Sequence, residues 1–294
     1  MLTHTSTFRV RHYECDGYGH LNNANYLRYA QEAALGAWAA RGFSLARLAA
    51  MDRAWQSRAI DIEYLRPLMY GEAVEVSVRL IGFDGPAARL AAEFTMPNPT
   101  SDVVARTTAE VVFVDNATGH PAAVPDELAR ALCGEYDRPG PLPPAEPFPL
   151  APPPPPGLFT IEHRVAWHDL DATGQVNDAA YLVYTEDCGM DVIAAHGWPV
   201  TRMTAEGFAI VLRRQQIEFL ERAHPEDELE VATWASNVRR VMATRHYTIT
   251  RKSDGALLTR SHTLGVWVNL GSGRPIRIPD NFLADFAPNM VNGG

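Results

Sequence analysis

The chain contains two copies of one sequence unit, and this repeat limits its fold more than any other feature of the 294 residues. A loop followed by an Ala-rich and Leu-rich segment begins at Tyr13 and recurs at His168, an offset of 155. The matched positions include three that shape loops and helix starts, namely Asp16 with Asp171, Gly19 with Gly174 and Asn22 with Asn177. The register continues to the end of each copy, where the offset drops to 154. We therefore expect two domains of one architecture.

Each copy is predicted to form one strand, one long helix and four further strands. In the first copy, residues 7–13 alternate as a strand does, and Asn23–Arg41 predicts a helix with Gly42 at its C-cap. The later strands are predicted at Arg58–Arg66, Ala73–Phe83, Ala87–Met96 and Val103–Val114. The second copy repeats the plan with Phe159–Trp167, the helix Asp178–His196, Ala209–Leu220, Leu229–Val238, Ala243–Arg251 and Leu257–Asn269. The expected fold class is α+β, with one long helix packed on an antiparallel sheet in each copy.

Prolines mark the boundary between the copies. Residues 138–157 contain eleven of the 22 prolines, and such a stretch neither pairs in a sheet nor continues a helix. We expect an extended polyproline linker; a ligand for a signalling domain is the less favoured alternative, because the stretch lies between two repeats. The predicted domains are thus 1–137, the linker 138–157, and 158–294. Because an isolated sheet has free edges, the two copies are expected to join edge to edge.

Composition narrows the class of protein. A net charge of −9 argues against a nucleic-acid partner, which usually meets a basic face. The three cysteines are far apart, which predicts reduced thiols and argues against a zinc site. Cys15 has no indicated histidine partner and is replaced by Leu170 in the second copy, so we interpret it as a packed thiol. Residues 1–11 lack a signal-peptide core and no apolar run could span a bilayer, so we expect a cytoplasmic protein without a membrane partner.

A carboxylate stands just before each long helix. The N-terminus of a helix presents unpaired backbone N–H groups and the positive end of the helix dipole, which together form a preformed oxyanion site. Asp16 or Asp171 could act there as general base or nucleophile on an acyl group. The alternative interpretation is structural, since Asp before glycine often forms a turn and Asn before a helix often caps it.

The helix-opening pattern resembles a known family. Asp16-x-x-Gly19-His20-Leu21-Asn22-Asn23-x-x-Tyr26, after a strand and before one long helix, is similar to the hotdog-fold acyl thioesterases of the 4-hydroxybenzoyl-CoA thioesterase type. Ile62–Pro67 followed by Gly71-Glu72 resembles that family's second strand and turn. Two fused copies resemble its double-hotdog members, over nearly all of the chain outside the linker and tail. The resemblance implies hydrolysis of an acyl-CoA or acyl-carrier-protein thioester, without metal or redox cofactor and with CoA only as part of the substrate.

The resemblance also implies roles for residues. The family's catalytic carboxylate is the Asp of the Asp-x-x-Gly turn, here Asp16 and Asp171, and its oxyanion donor is the backbone N–H seven residues later. That donor corresponds to Asn23 in the first copy and to Asp178 in the second. A carboxylate at Asp178 would repel a developing oxyanion, so we expect Asp16 to head the better site.

His20 is the other difference between the motifs, since it becomes Gln175. The first copy is closer to the plant acyl-carrier-protein thioesterase pattern, although Tyr18 stands where those enzymes carry Asn. His20 is interpreted either as a group that polarises or orients the reactants or as a capping residue.

Four further residues are candidates for substrate binding. Tyr26 and Tyr181 occupy the same helical position in the two copies and could form a pocket wall or belong to the core. Arg213 and Arg214 could bind an anionic ligand or form a solvated basic edge. Two other functions stay open, a hydratase or dehydratase acting on acyl thioesters and a non-catalytic acyl-CoA-binding protein. The acyl group, the use of one site or both, and further homo-oligomerisation are left open as well.

Overall fold

Each repeat is built round one long helix that lies on a sheet of five strands. The computed structural model describes residues 3–133, 142 and 146–291, and it contains two compact units, Met1–Pro147 and Phe148–Gly294. The α+β class and the plan of each repeat are therefore confirmed. The linker limits stay a prediction, since residues 138–141 and 143–145 lie outside the described residues. The edge-to-edge joining of the repeats also stays a prediction.

The first repeat has eight regular elements. In chain order they are β1 (Thr3–Arg9), α1 (Asn23–Ala40), α2 (Leu45–Ala50), β2 (Arg53–Tyr64), β3 (Ala73–Asp84), β4 (Ala87–Thr95), β5 (Val103–Asp115) and α3 (Asp126–Cys133). The strand order is β1-β3-β4-β5-β2, and all neighbours are antiparallel. Helix α1 buries Ala24, Ala33 and Ala37 completely, and these small side chains let its backbone lie close to the surrounding structure.

The second repeat follows the same plan. Its elements are β6 (Phe159–Arg164), α4 (Asp178–Ala195), α5 (Val200–Ala205), β7 (Phe208–Phe219), β8 (Glu228–Ser236), β9 (Met242–Arg251), β10 (Leu257–Asn269) and α6 (Asp280–Phe286). The strand order is β7-β10-β9-β8-β6, again antiparallel throughout. Beyond the end of α4, an aromatic cluster that includes Trp198, Phe208, Phe282 and Phe286 fills the core, so α6 contributes two of its rings.

The first strand and the short helices differ from the sequence predictions. The strand predicted at residues 7–13 is instead Thr3–Arg9, and His12–Glu14 form a 3-10 turn. This turn directs the side chain of Glu14 into the core, which a continuing strand would not do. The helices α2, α3, α5 and α6 have six to eight residues, too few to give a periodic pattern, and none of them was predicted.

The later part of the predicted linker is held on the second repeat. Residues 146–155 form neither helix nor strand, as expected for a proline-rich stretch. However, Trp234 Nε1 donates to the carbonyl oxygen of Pro152 at 3.1 Å, and His262 Nε2 donates to that of Pro149 at 2.7 Å. The ring of Phe148 also lies 4.8 Å from that of His262, centroid to centroid. This segment is therefore anchored on the sheet face away from α4 and is not a free spacer.

A chain of buried hydrogen bonds supports this anchor. The Oγ of Ser236 lies 2.6 Å from Nε2 of His246, and Nδ1 of His246 lies 2.6 Å from Nδ1 of His262. Because Nε2 of His262 donates to Pro149, its Nδ1 must accept, so Nδ1 of His246 donates and Nε2 of His246 accepts from Ser236. Burial lowers the pKa of His246 to about 4, and the nearby His262 and Arg245 contribute to the shift.

Because His246 is buried with a lowered pKa, we expect the protein to lose stability in acid. In the unfolded chain His246 regains a pKa near 6.5, so between about pH 6.5 and pH 4 the unfolded state binds a proton that the folded state does not. The free energy of unfolding should therefore fall as pH falls through this window, by on the order of 3 kcal/mol. Urea unfolding between pH 7 and pH 4 should show a flatter pH dependence for His246→Gln than for the parent chain. His120→Gln, which changes an exposed histidine, is the control, and an equal slope in all three proteins would contradict the assignment.

Candidate functional site

The loop before α1 holds the carboxylate of Asp16 in one orientation. Oδ1 of Asp16 accepts hydrogen bonds from the backbone N–H groups of Tyr18, at 2.9 Å, and His20, at 3.0 Å. The loop closes through the N–H of Asp16, which donates to the carbonyl of His20 at 2.7 Å, and Gly19 takes a positive φ of 80°. Oδ2 of Asp16 has no hydrogen-bond partner among the described residues, so one oxygen of a half-buried carboxylate is available for chemistry.

Glu14 ties this loop to the first turn of α1. Its carbonyl oxygen accepts from the N–H of Asn22 at 2.9 Å and from Nδ2 of Asn25 at 2.8 Å. Its carboxylate, on a 9% exposed residue, accepts from the hydroxyl of Tyr29 at 2.6 Å. Burial, and then this hydrogen bond, raise the pKa of Tyr29. Glu14 was not identified from the sequence. Its counterpart in the second copy, Asp169, lies at the offset of 155 and is also acidic, so comparing the two copies could have indicated this position.

The start of α1 leaves one backbone N–H group open. Asn22 caps the helix, because its Oδ1 accepts from the N–H of Ala24 at 3.0 Å and its carbonyl accepts from the N–H of Asn25 at 2.9 Å. The N–H of Asn23 donates to no residue in the described part of the chain. This group and the positive end of the helix dipole lie where the sequence analysis expected an oxyanion donor.

His20 lies beside this loop without capping the helix. Its imidazole is half-buried and forms no hydrogen bond with a described residue, so its ring does not act as a cap. The ring of Tyr18 lies 6.4 Å from it, centroid to centroid. Burial, and secondarily the charge of Asp16, raise the pKa of Tyr18, so this neighbour is a neutral phenol.

A cavity lies between α1 and the sheet of the first repeat. It begins about one helical turn after Asn23, on the same face of α1, at the positions four, seven and eleven residues further on. The helix contributes Leu27, Ala30, Gln31 and Ala34, and the sheet contributes Ser57, Ile60, Val78, Leu90, Ala92, Thr107, Ala109 and Val111.

The corresponding loop of the second repeat has the same backbone but a more exposed carboxylate. Oδ1 of Asp171 accepts from the N–H of Thr173 at 2.7 Å, from its hydroxyl at 2.5 Å and from the N–H of Gln175 at 3.4 Å. Gly174 has a φ of 78°, close to that of Gly19. Asp171 itself is exposed to solvent, in contrast to the half-buried Asp16.

An internal ion pair occupies the start of α4. Asn177 caps this helix as Asn22 caps α1, with its Oδ1 accepting from the N–H of Ala179 at 2.8 Å. The next residue, Asp178, is only 8% exposed and forms an ion pair with Arg222, whose guanidinium lies 4.8 Å from the centre of the Phe219 ring. In the first repeat the positions of Asp178 and Arg222 are taken by Asn23 and Pro67. Arg222 was missed in the sequence, although the comparison of the copies contained this paired exchange.

The two candidate tyrosines lie in the core. The hydroxyl of Tyr26 accepts from the N–H of Leu68 at 3.2 Å, and that of Tyr181 accepts from the N–H of Ala223 at 2.8 Å. Both are buried and do not contribute to the lining of the cavity, so their visible role is to hold the turn that follows β2 or β7. On β7, Arg213 is exposed and Arg214 is half-buried. Substrate binding by these four residues stays a prediction.

The described cysteines and acidic groups were also considered as possible centres. No disulfide joins Cys15, Cys133 or Cys188 within the described residues. Burial, and then the charges of Asp16 and Glu14, raise the pKa of Cys15, which favours the thiol over a nucleophilic thiolate. Within residues 3–133, 142 and 146–291, no three His, Cys, Asp or Glu side chains are grouped to hold a metal ion. Nor does any helix in that part of the chain have the length and apolar character needed to cross a bilayer.

Comparison with known proteins finds one family in both repeats. A family model described as the thioesterase-like superfamily matches residues 10–132 and again residues 165–286. The chain is similar to the acyl-CoA thioester hydrolase YbgC of Escherichia coli, with 27% identity over 129 residues, which are 44% of this chain and 96% of that protein.

Solved structures agree over most of the chain. It is similar to a 12:0-ACP thioesterase from Umbellularia californica, with a TM-score of 0.69 and 17% identity over 90% of this chain and 94% of that one. It is also similar to an acyl-ACP thioesterase from Bacteroides thetaiotaomicron, with a TM-score of 0.66 and 16% identity over 90% and 97% of the two chains. At these identities the structures bear on the fold, and they confirm the predicted double hotdog of two fused repeats.

The ion pair at the start of α4 can be tested by stability measurements. Asp178→Asn leaves the guanidinium of Arg222 without its carboxylate in a mostly buried place, and should lower the free energy of unfolding by about 3 kcal/mol. The double variant Asp178→Asn with Arg222→Met should recover part of this loss, because neither charge is then left alone. Urea unfolding measures both effects.

A surface pair supplies the control. Glu93→Gln breaks the ion pair between Glu93 and Arg106, whose side chains are 47% and 52% exposed. It should change the free energy of unfolding by less than about 1 kcal/mol. If Asp178→Asn is no more destabilising than Glu93→Gln, the second helix start does not depend on its ion pair.

Proposed function

Because the chain belongs to the thioesterase-like superfamily, we propose that it hydrolyses the thioester of an acyl-CoA or of an acyl-carrier protein. The observation that carries this proposal is the pairing of an open backbone N–H at Asn23 with a fixed carboxylate at Asp16, on the loop that enters the same helix. The names of the relatives, an acyl-CoA thioester hydrolase and two acyl-ACP thioesterases, support the substrate class.

The thioester carbonyl is proposed to point its oxygen at the start of α1. The N–H of Asn23 donates to this oxygen, and the positive end of the helix dipole stabilises the negative charge that grows on it. This interaction strengthens as the carbonyl becomes tetrahedral, so it favours the transition state over the bound substrate.

Asp16 is proposed to supply the carboxylate of the reaction. In the general-base form, its free Oδ2 takes a proton from water while the water oxygen bonds to the carbonyl carbon. The tetrahedral intermediate then collapses, the carbon–sulfur bond breaks, and the leaving thiolate takes up a proton. In the nucleophilic form, Oδ2 attacks the carbon itself, the carbon–sulfur bond breaks and the thiolate leaves and takes up a proton. Water then cleaves the acyl-aspartyl anhydride, which releases the acid and restores Asp16. His20, half-buried beside the loop, is proposed to orient the water or the thioester.

The first repeat is proposed as the principal site. At the second helix start, the side chain of Asp178 is held in an ion pair with Arg222, and Asp171 is exposed to solvent. Asp171 therefore remains the secondary candidate, and the experiment below includes it.

Replacing Asp16 should remove most of the activity without unfolding the loop. In Asp16→Asn the side-chain oxygen can still accept from the N–H groups of Tyr18 and His20, but the side chain can neither take a proton nor attack. The turnover number should fall by about 100-fold or more. The measurement is the release of free thiol from a panel of acyl-CoAs of increasing chain length, with a benzoyl-CoA included.

The matched control is Asp171→Asn, the same substitution in the other repeat, which should keep most of the activity. Full turnover in Asp16→Asn would reject the assigned chemistry, whether or not Asp171→Asn is active. Loss of enoyl absorbance from an enoyl-CoA would instead identify a hydratase, and tight acyl-CoA binding without thiol release would identify a binding protein.

A further inference from the structure

The two repeats differ in the side chains that lie between the long helix and the sheet. In the first repeat this space is the cavity beside α1, and its sheet wall includes Leu90 and Ala92 of β4. At the same offset of 155 the second repeat has Arg245 and Tyr247. The strand registers support this correspondence, because Ala92 pairs with Thr107 and Tyr247 pairs with Ser261, in the matching strands β5 and β10.

Tyr247 occupies the volume that is open in the first repeat. Its side chain is 6% exposed, and its hydroxyl would lie 2.7 Å from a Cβ placed on Gly189 of α4. The residue of α1 that matches Gly189 is Ala34, which lines the cavity and carries a Cβ. The exchange is therefore paired: alanine faces alanine across an open space in the first repeat, and tyrosine faces glycine across a filled one in the second.

Polar side chains fill the rest of the corresponding region. Gln215 and Thr185, which match Ile60 and Ala30 of the cavity wall, are buried and bonded to each other, with Nε2 of Gln215 donating to the Thr185 hydroxyl at 3.2 Å. Arg245 donates from Nη1 to Oδ1 of Asn289 at 3.0 Å. An apolar chain entering here would have to separate buried polar groups that are already hydrogen-bonded, which is unfavourable.

We propose that the protein has one acyl-binding site, the cavity of the first repeat, and that Ala92 and Ala34 set the length of aliphatic acyl group it accepts. The inference rests on the proposed function, because the cavity begins one turn beyond the helix start where the thioester carbonyl would lie. The acyl chain runs from Asn23 along the face of α1, past Leu27, and ends between Ala34 and Ala92. The second repeat keeps the fold but closes both the helix start and the acyl space with its own side chains.

Placing the bulky side chain of the second repeat at the matching position of the first repeat tests this assignment. Ala92→Phe places a ring in the cavity, and the double variant Ala34→Gly with Ala92→Tyr reproduces the packing that the second repeat already tolerates. Binding is measured by calorimetry with S-ethyl-CoA and S-octyl-CoA. These are thioethers, so they have no thioester bond for a thioesterase to cleave. Since each buried methylene contributes about fourfold in affinity, both variants should lower the preference for octyl over ethyl by about tenfold or more.

Ala91→Phe is the matched control, because neighbouring residues on a strand point to opposite faces and Ala91 does not line the cavity. It should leave the octyl-to-ethyl ratio unchanged. An unchanged ratio in both Ala92 variants, with circular dichroism confirming that at least the double variant is folded, would overturn the acyl site. Because the thioethers report binding alone, this result is separate from a failure of hydrolysis in the acyl-CoA panel.

Discussion

The burial of a long helix on an antiparallel sheet is the constraint on which the rest of each repeat depends. A buried helix cannot leave the polar groups of its first turn to bulk water, so the preceding loop must return to meet them. For α1, the carbonyl oxygen of Glu14 accepts from the N–H of Asn22 and from Nδ2 of Asn25. Oδ1 of Asn22 accepts from the N–H of Ala24. The loop that satisfies the helix also carries Asp16, so the carboxylate and the open N–H of Asn23 lie on one continuous segment of the chain.

The duplication separates what this fold needs from what a site needs. Both repeats keep the Asn that caps the long helix and the glycine of positive φ in the loop before it. Both also keep a buried acidic residue whose carboxylate accepts from the backbone N–H three residues earlier. In both, a tyrosine hydroxyl on the helix accepts from a backbone N–H in the turn after the next strand. The pairs are Asn22 and Asn177, Gly19 and Gly174, Glu14 and Asp169, and Tyr26 and Tyr181. These features belong to the architecture, which is why conserving them between the copies gives no evidence of catalysis at either one.

The sequence predicted the elements whose patterns are long and missed those decided by tertiary contacts. Helices of eighteen residues and strands of nine to thirteen residues are long enough to show a clear hydrophobic periodicity. Each such pattern also occurs twice, once in each repeat. The end of β1 depends on Glu14 entering the core, which no local pattern reveals. At the candidate site, Asp16, His20 and Asn23 could be proposed from the sequence because they lie in one motif. Arg222 lies 44 residues from Asp178, so the ion pair follows from the fold and not from spacing.

The exchanges between the repeats are compensated, because each altered side chain meets a partner that is altered as well. Asp178 would be an isolated buried charge without Arg222, and the hydroxyl of Tyr247 would meet a Cβ if Gly189 were alanine. Each change therefore needs its partner, since the intermediate chain would hold an unpaired charge or an overpacked core. In the second repeat, the Asp178–Arg222 ion pair therefore lies at the helix start, and Tyr247 fills the space beside α4 that is open beside α1.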